Sequence, residues 1–172
     1  MTTVVSNADG DEGVWTAERS GALIVGPNAG ATIEGPVGGP LTFKARGEQT
    51  NGTFTALENV IPAGQGPPLH THANEDEAWY VLEGDLRFKI GGELRAAPAG
   101  SFVFVPRSTP HCFQNVGEDP ARILVMFTPA GMERFYDEFA TLSAPDPEAF
   151  AKIGDPLGME VLGPPLAQSD PL

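Results

Sequence analysis

Glycine and proline set the first limit on this chain. Its 172 residues carry 21 glycines and 17 prolines spread along the whole length. Each proline removes a backbone donor and each glycine carries an entropic cost inside a regular element, so long helices are disfavoured. Many short strands joined by turns are favoured instead. "GALIVG" and "LTFKARGEQTNGTFTALENVIPAG" follow that pattern, with short apolar or alternating runs cut by Gly, Pro and Asn-Gly. In "AWYVLEGDLRFKI", residues 78–90, two strands are expected around a tight turn at Glu83, Gly84 and Asp85. Leu86, Phe88 and Ile90 then share one face and Arg87 and Lys89 the other. "GSFVFVP" and "ARILVMFTP" are apolar on both faces, as expected where one side lines an interior and the other packs on a second sheet, a helix or a subunit. The fold class read from these segments is mostly β.

The length suits one domain with a single core. Residues 1–20 are polar and acidic without a clear period and read as a loosely ordered arm. Residues 21–129 form the β domain and residues 130–172 a helical appendage. There, "GMERFYDEFATLS" sets Met132, Phe135, Tyr136, Phe139 and Leu142 at helical spacing. Asp146 and Pro147 before "EAFAKIG" supply an N-cap and a proline at the first helical position, and Gly154 closes the helix. Two short helices are therefore expected, docking their apolar stripes over an open edge or end of the sheets. A lid over a pocket is the alternative.

The net charge of −13, from 23 acidic residues against 10 Lys plus Arg, leaves no basic stripe for phosphates or anionic lipid. Nucleic acid and membrane surfaces are poor partners for such a chain. One cysteine cannot form an internal disulfide, and "MTTVVSNADGDEGVW" has neither a basic nor an apolar leader region. No window approaches the ~18 consecutive apolar residues of a membrane span. The cytoplasm is the expected location.

All three histidines lie in two segments. In "GQGPPLHTHANEDEAWYVLEG" side chains two apart on a strand point the same way, so His70 and His72 present two imidazoles from one face. Past an acidic turn, Glu77 begins the next strand, with Asp76 as its rival facing the other way. About forty residues on, His111 follows a Pro-rich turn in "GSFVFVPRSTPHCFQN". Neutral imidazoles converging with a carboxylate make a metal site. Period two places Trp79 and Val81 on the face of Glu77 and Phe113 on that of His111, as candidate pocket walls. Cys112 falls opposite His111 and reads as a small buried hydrophobe, Asn115 as a turn-fixing residue, and Glu75 with Asp76 as a solvated turn.

The spacing Gly64, His70, His72, Glu77, Gly84 resembles the first signature of the cupin superfamily. Gly100, Pro106, His111 and Asn115 resemble the second, with Ser108 where that signature has a glycine. The resemblance implies a double-stranded β-helix, or jelly-roll barrel, with His70, His72, Glu77 and His111 holding one divalent transition metal ion per chain: iron, manganese, cobalt, nickel or zinc. Over most of residues 40–166 the chain is similar to single-domain cupins described as quercetin 2,3-dioxygenase-like. That likeness implies cleavage of a flavonol or similar enolisable aromatic substrate with O2, releasing carbon monoxide and a depside. Glu77 is then both ligand and general base. A metal-dependent isomerase, cyclase or hydrolase working without O2 is the alternative, as is a non-catalytic ligand-binding cupin. The fold's habit of pairing through sheets and the apolar strands together imply a homodimer.

Overall fold

The computed structural model describes residues 13–16, 21–142 and 148–172. Most of the expected arm, and the Asp146-Pro147 cap, lie outside the described residues. Thirteen short strands carry the fold, the longest of them eight residues. In chain order they are β1 (Val14–Thr16), β2 (Leu23–Val25), β3 (Thr32–Glu34), β4 (Pro40–Ala45), β5 (Thr55–Ile61), β6 (Pro68–His72), β7 (Asp76–Glu83), β8 (Asp85–Ile90), β9 (Glu93–Pro98), β10 (Phe102–Val105), β11 (His111–Asn115) and β12 (Ala121–Thr128). Then come helices α1 (Glu133–Phe139) and α2 (Ala149–Gly154), strand β13 (Met159–Pro165) and helix α3 (Leu166–Ser169).

The strands make two facing sheets and one small pair. The order is β10-β7-β12-β5-β4-β3 in one sheet and β13-β6-β11-β8-β9 in the other, with β1 and β2 paired apart. Inward side chains alternate along each strand, as in β12, where Ala121, Ile123, Val125 and Phe127 are buried. Trp79, Phe88 and Phe127 are almost wholly enclosed between the sheets, each removing enough apolar surface to stabilise the fold by about 2–3 kcal/mol. The architecture is the mostly β, two-sheet barrel expected from the sequence. No helix among the described residues is long and apolar enough to cross a membrane.

Three local readings resolve differently in three dimensions. The turn at Gly84 does not close a hairpin: β7 pairs with β10 and β12, whereas β8 pairs with β9 and β11. The chain switches sheets there, with Gly84 at φ +89° and its Cα packed so close to Ala121 that a Cβ would lie 2.7 Å from the alanine methyl. Residues 130–172 are not purely helical, because β13 returns to the barrel and pairs with β6. Helix α2 runs through Gly154 into a 3-10 turn, and Gly158, at φ +82°, ends it.

Helix α1 is tied to the barrel by several polar contacts. Glu133 accepts hydrogen bonds from the backbone N–H groups of Gly47 and Gly131 at 2.9 Å and from the Thr55 hydroxyl. Arg46 forks onto Asp137 at 2.8 and 2.9 Å. Phe135 and Phe139 point into the core, and Phe135 meets Phe150 of α2 at 5.3 Å between ring centres.

Candidate metal centre

His70 and His72 lie on β6, His111 opens β11 and Glu77 is the second residue of β7. His111 sits opposite His70 within one sheet, and Glu77, opposite Phe127, faces them from the other. The turn before His111 is held by the Ser108 N–H, which donates to the His72 carbonyl at 2.6 Å. Ser108 adopts φ +63°, so the position keeps the left-handed backbone that favours glycine even though its residue differs.

One candidate ligand atom from each of the four side chains lies within 4.8 Å of the others, and all four residues are buried. Hydrogen bonds aim the rings. Nδ1 of His70 lies 2.8 Å from the Pro68 carbonyl and Nδ1 of His111 lies 2.8 Å from the Thr109 carbonyl. A carbonyl only accepts, so both Nδ1 atoms carry the proton and each Nε2 turns toward the cluster. Both ring nitrogens of His72 are buried without a hydrogen-bond partner. Its Nε2 stands 3.1 Å from Glu77 Oε2, and that of His111 stands 3.0 Å away.

Electrostatics set the charge state of the four side chains. Burial, reinforced by the other two imidazoles, lowers the His70 pKa to about 3, so its ring is neutral at neutral pH. Burial alone would raise Glu77, but the hydrogen bond from His111 and the close imidazole of His72 outweigh it and hold the carboxyl at about 2. Burial likewise opposes the charge on His111, yet the Glu77 carboxylate overrides it and raises its pKa. With Nδ1 spent on Thr109, a hydrogen bond from Nε2 to Glu77 requires the imidazolium form. Ligand atoms about 2.0–2.2 Å from a common centre stand about 3–4 Å apart, which the 3.1 and 3.0 Å separations of His72 and His111 from Glu77 match. The residues fit a transition metal ion, and imidazole with carboxylate suits iron, manganese, cobalt, nickel and zinc alike.

A cavity of about 40 Å³ opens beside the cluster, lined by Trp79, Phe113, Phe127, Tyr136, Phe150 and Met159 among others. Val81 is buried in the core without lining it. It lies two positions farther along β7 than Trp79, about 6–7 Å deeper in the barrel. Cys112 is buried facing away, its thiol pushed up to about 11 by desolvation. Asn115 fixes a turn, donating to the Ile61 and Asp119 carbonyls and accepting from the Gly117 N–H. Glu75 corrects the solvated-turn reading: it is buried, its pKa is raised by that burial, and Oε2 has no partner, while Asp76 pairs with Arg107. The fold folds Gly131 and α1 over Glu75, a contact no local pattern encodes.

Two cavity residues carry no local signal in the sequence. Tyr136 comes from α1 and Asn59 from β5, and Asn59 Oδ1 is buried without a hydrogen-bond partner. A buried amide left unpaired costs about 1–3 kcal/mol. Asn59 reads in sequence as one more polar residue of an alternating strand.

Comparison with known proteins agrees with this geometry. The cupin domain family matches residues 57–127. An uncharacterised protein of Methanocaldococcus jannaschii is 33% identical over 67 residues, 39% of this chain and 54% of that protein. A quercetin 2,3-dioxygenase of Bacillus subtilis is 31% identical over 75 residues, 42% of this chain and 22% of that enzyme. The chain thus spans about half or less of the length of these two relatives. Among solved structures, an RmlC-like cupin from Shewanella frigidimarina superposes with a TM-score of 0.53 at 19% identity, over 60% of this chain and 87% of that one. Matched motif, matched barrel and a buried His70, His72, Glu77 and His111 cluster converge on one conclusion: residues 57–127 carry a cupin domain, within a cupin-like barrel.

Proposed function

We propose that this cupin is a metal-dependent dioxygenase that opens a flavonol or a similar enolisable aromatic ring with O2. The observation that carries the reading is the wall around the cluster. Apart from the cluster itself, no charged side chain lines the cavity, and six aromatic residues do: Trp79, Phe113, Phe127, Phe135, Tyr136 and Phe150. Such a wall suits a flat, uncharged substrate.

The inner cavity has room for water or O2 but not for a flavonol. Next to it lies a groove of about 510 Å³, within the range of small-molecule sites, lined by Gln65, Pro68, Phe139, Val161 and Pro164 among others. Pro36, Val37 and Phe150 belong to both walls and form the partition. The body of the substrate belongs in the groove, and its reacting edge reaches Glu77 once Phe150 has moved.

Glu77 has the acid–base role. Its carboxylate is ionised throughout the neutral range and so is free to take a proton. The interactions that keep it ionised also make it a weak base, so the substrate hydroxyl must be acidified. A divalent ion held by His70, His72, Glu77 and His111 would supply that acidification and positions for oxygen ligands. Trp79 and Phe113, which line the inner cavity, keep water from the reacting edge.

The deciding experiment is oxygen consumption by apoprotein purified anaerobically, reconstituted separately with each divalent metal and given a flavonol panel. The expected result is rapid uptake together with loss of the flavonol's long-wavelength absorption. Stoichiometric metal without uptake on any flavonol overturns the dioxygenase and leaves oxygen-independent chemistry or ligand binding.

The same reading includes a homodimer built on the open edge of the six-stranded sheet. Among the described residues strand β10 pairs only with β7 there, and it exposes Phe102 and Phe104 beside a half-exposed Tyr80. An unpaired edge with two exposed phenylalanines invites pairing with a second copy. Light scattering at micromolar concentration should give a dimer for the wild type and a monomer for Phe102→Lys/Phe104→Lys. A monomeric wild type sinks the proposal.

A further inference from the structure

Asn59 occupies the inward face of β5, where its strand neighbours are Leu41 on β4 and Ile123 on β12. Both are fully buried hydrophobes, so the sheet provides no polar partner across either ladder. The residue is 7% exposed and lines the metal cavity. Its Oδ1 is buried without a hydrogen bond, and its amide nitrogen makes none to any described residue. An amide offers two donors and an acceptor, and here none is used. A leucine of nearly the same size would fill this place at lower cost, because a buried polar group without a partner opposes folding. Every other buried asparagine contact has a job: Asn115, on β11, spends its side chain on three backbone groups. Trp79 Nε1 is another buried polar atom without a partner on the same cavity, and Tyr136 also lines it.

We propose that the Asn59 amide is the polar anchor of the substrate, with the Tyr136 hydroxyl as its companion. It recognises an uncharged, largely aromatic compound by one oxygenated edge, accepting a hydrogen bond from a hydroxyl or donating one to a carbonyl oxygen. A permanently charged group away from the metal centre is disfavoured by the same wall that makes the cavity apolar, because it would be buried against aromatic rings. Bringing the hydroxyl-bearing edge to Asn59 directs it into the chamber that also holds Glu77. Asn59 is thus a positioning and specificity residue, and this inference rests on the small-molecule reading of the site given above.

The test uses the full chain loaded with metal, in two arms. In the first, thermal melting without ligand, Asn59→Leu should melt about 2–6 °C above the wild type, because the unpaired amide is gone and the volume is kept. Melting at or below the wild-type temperature overturns the proposal, since the amide would then have a structural partner. In the second arm, 3-hydroxyflavone and flavone are titrated anaerobically and followed by absorption. Asn59→Leu and Asn59→Ala should each bind 3-hydroxyflavone about tenfold more weakly than the wild type. Both should retain stoichiometric metal and show a smaller loss for flavone, which lacks the hydroxyl. Unchanged 3-hydroxyflavone affinity in both variants overturns the anchor. A wild type that binds neither compound removes the flavonol reading alone, and the melting arm then decides whether Asn59 is held against stability for another ligand.

Discussion

His111→Ala should yield a folded protein that no longer holds stoichiometric divalent metal. Three ligands would remain, and losing even an outer hydrogen-bond partner of a metal ligand typically costs about 10–100-fold in affinity, so loss of the ligand itself should cost at least that. The structure adds a contrast between two of the histidines. His111 is the imidazolium partner of Glu77, whereas both nitrogens of His72 lack hydrogen-bond partners. Removing His111 takes one of the two imidazoles beside the buried Glu77 carboxylate, with His72 Nε2 still 3.1 Å away, and should lower apoprotein stability. Removing His72 should cost metal to a similar degree but leave the apoprotein closer to wild type. Metal analysis and melting on the two variants side by side check this, and full metal content in His111→Ala would end the case for the site.

Glu77→Gln should separate ligand from base. The amide keeps an oxygen that can face a cation but cannot accept the substrate's proton, so part of the metal should remain while turnover falls by about 10²–10⁴. Metal content and oxygen uptake on the same preparation read the two roles independently. Near-normal turnover would make Glu77 a ligand with no proton role. In the metal-free protein the same substitution removes the negative charge that raises the His111 pKa. His111 should then titrate at a lower pH, a shift visible by NMR without any substrate.

The metal cluster was legible before any coordinates because its logic is local. His70 and His72 share a face through the two-residue period of a strand, and Glu77 follows one turn later. His111 was legible for a different reason: the chain has three histidines, and the last stands at the start of a strand after a Pro-rich turn. Trp79 and Phe113 line the cavity as period two required, while Val81 shows its limit, since a shared face does not mean a shared depth.

What the amino-acid order alone determined was therefore the mostly β character, the positions of the short strands that carry the site, and the identity of the four residues that the fold buries together. The tertiary structure decided which strands pair. It placed β7 and β8 in opposite sheets, brought β13 back beside β6, buried Glu75 under the segment leading into α1, and left the Asn59 amide facing a cavity with no partner. The physical reason is range. Periodicity and turn chemistry act over a few residues, whereas strand order and the satisfaction of a buried polar group depend on neighbours dozens of positions away, and the free energy that selects them comes from packing the whole core at once.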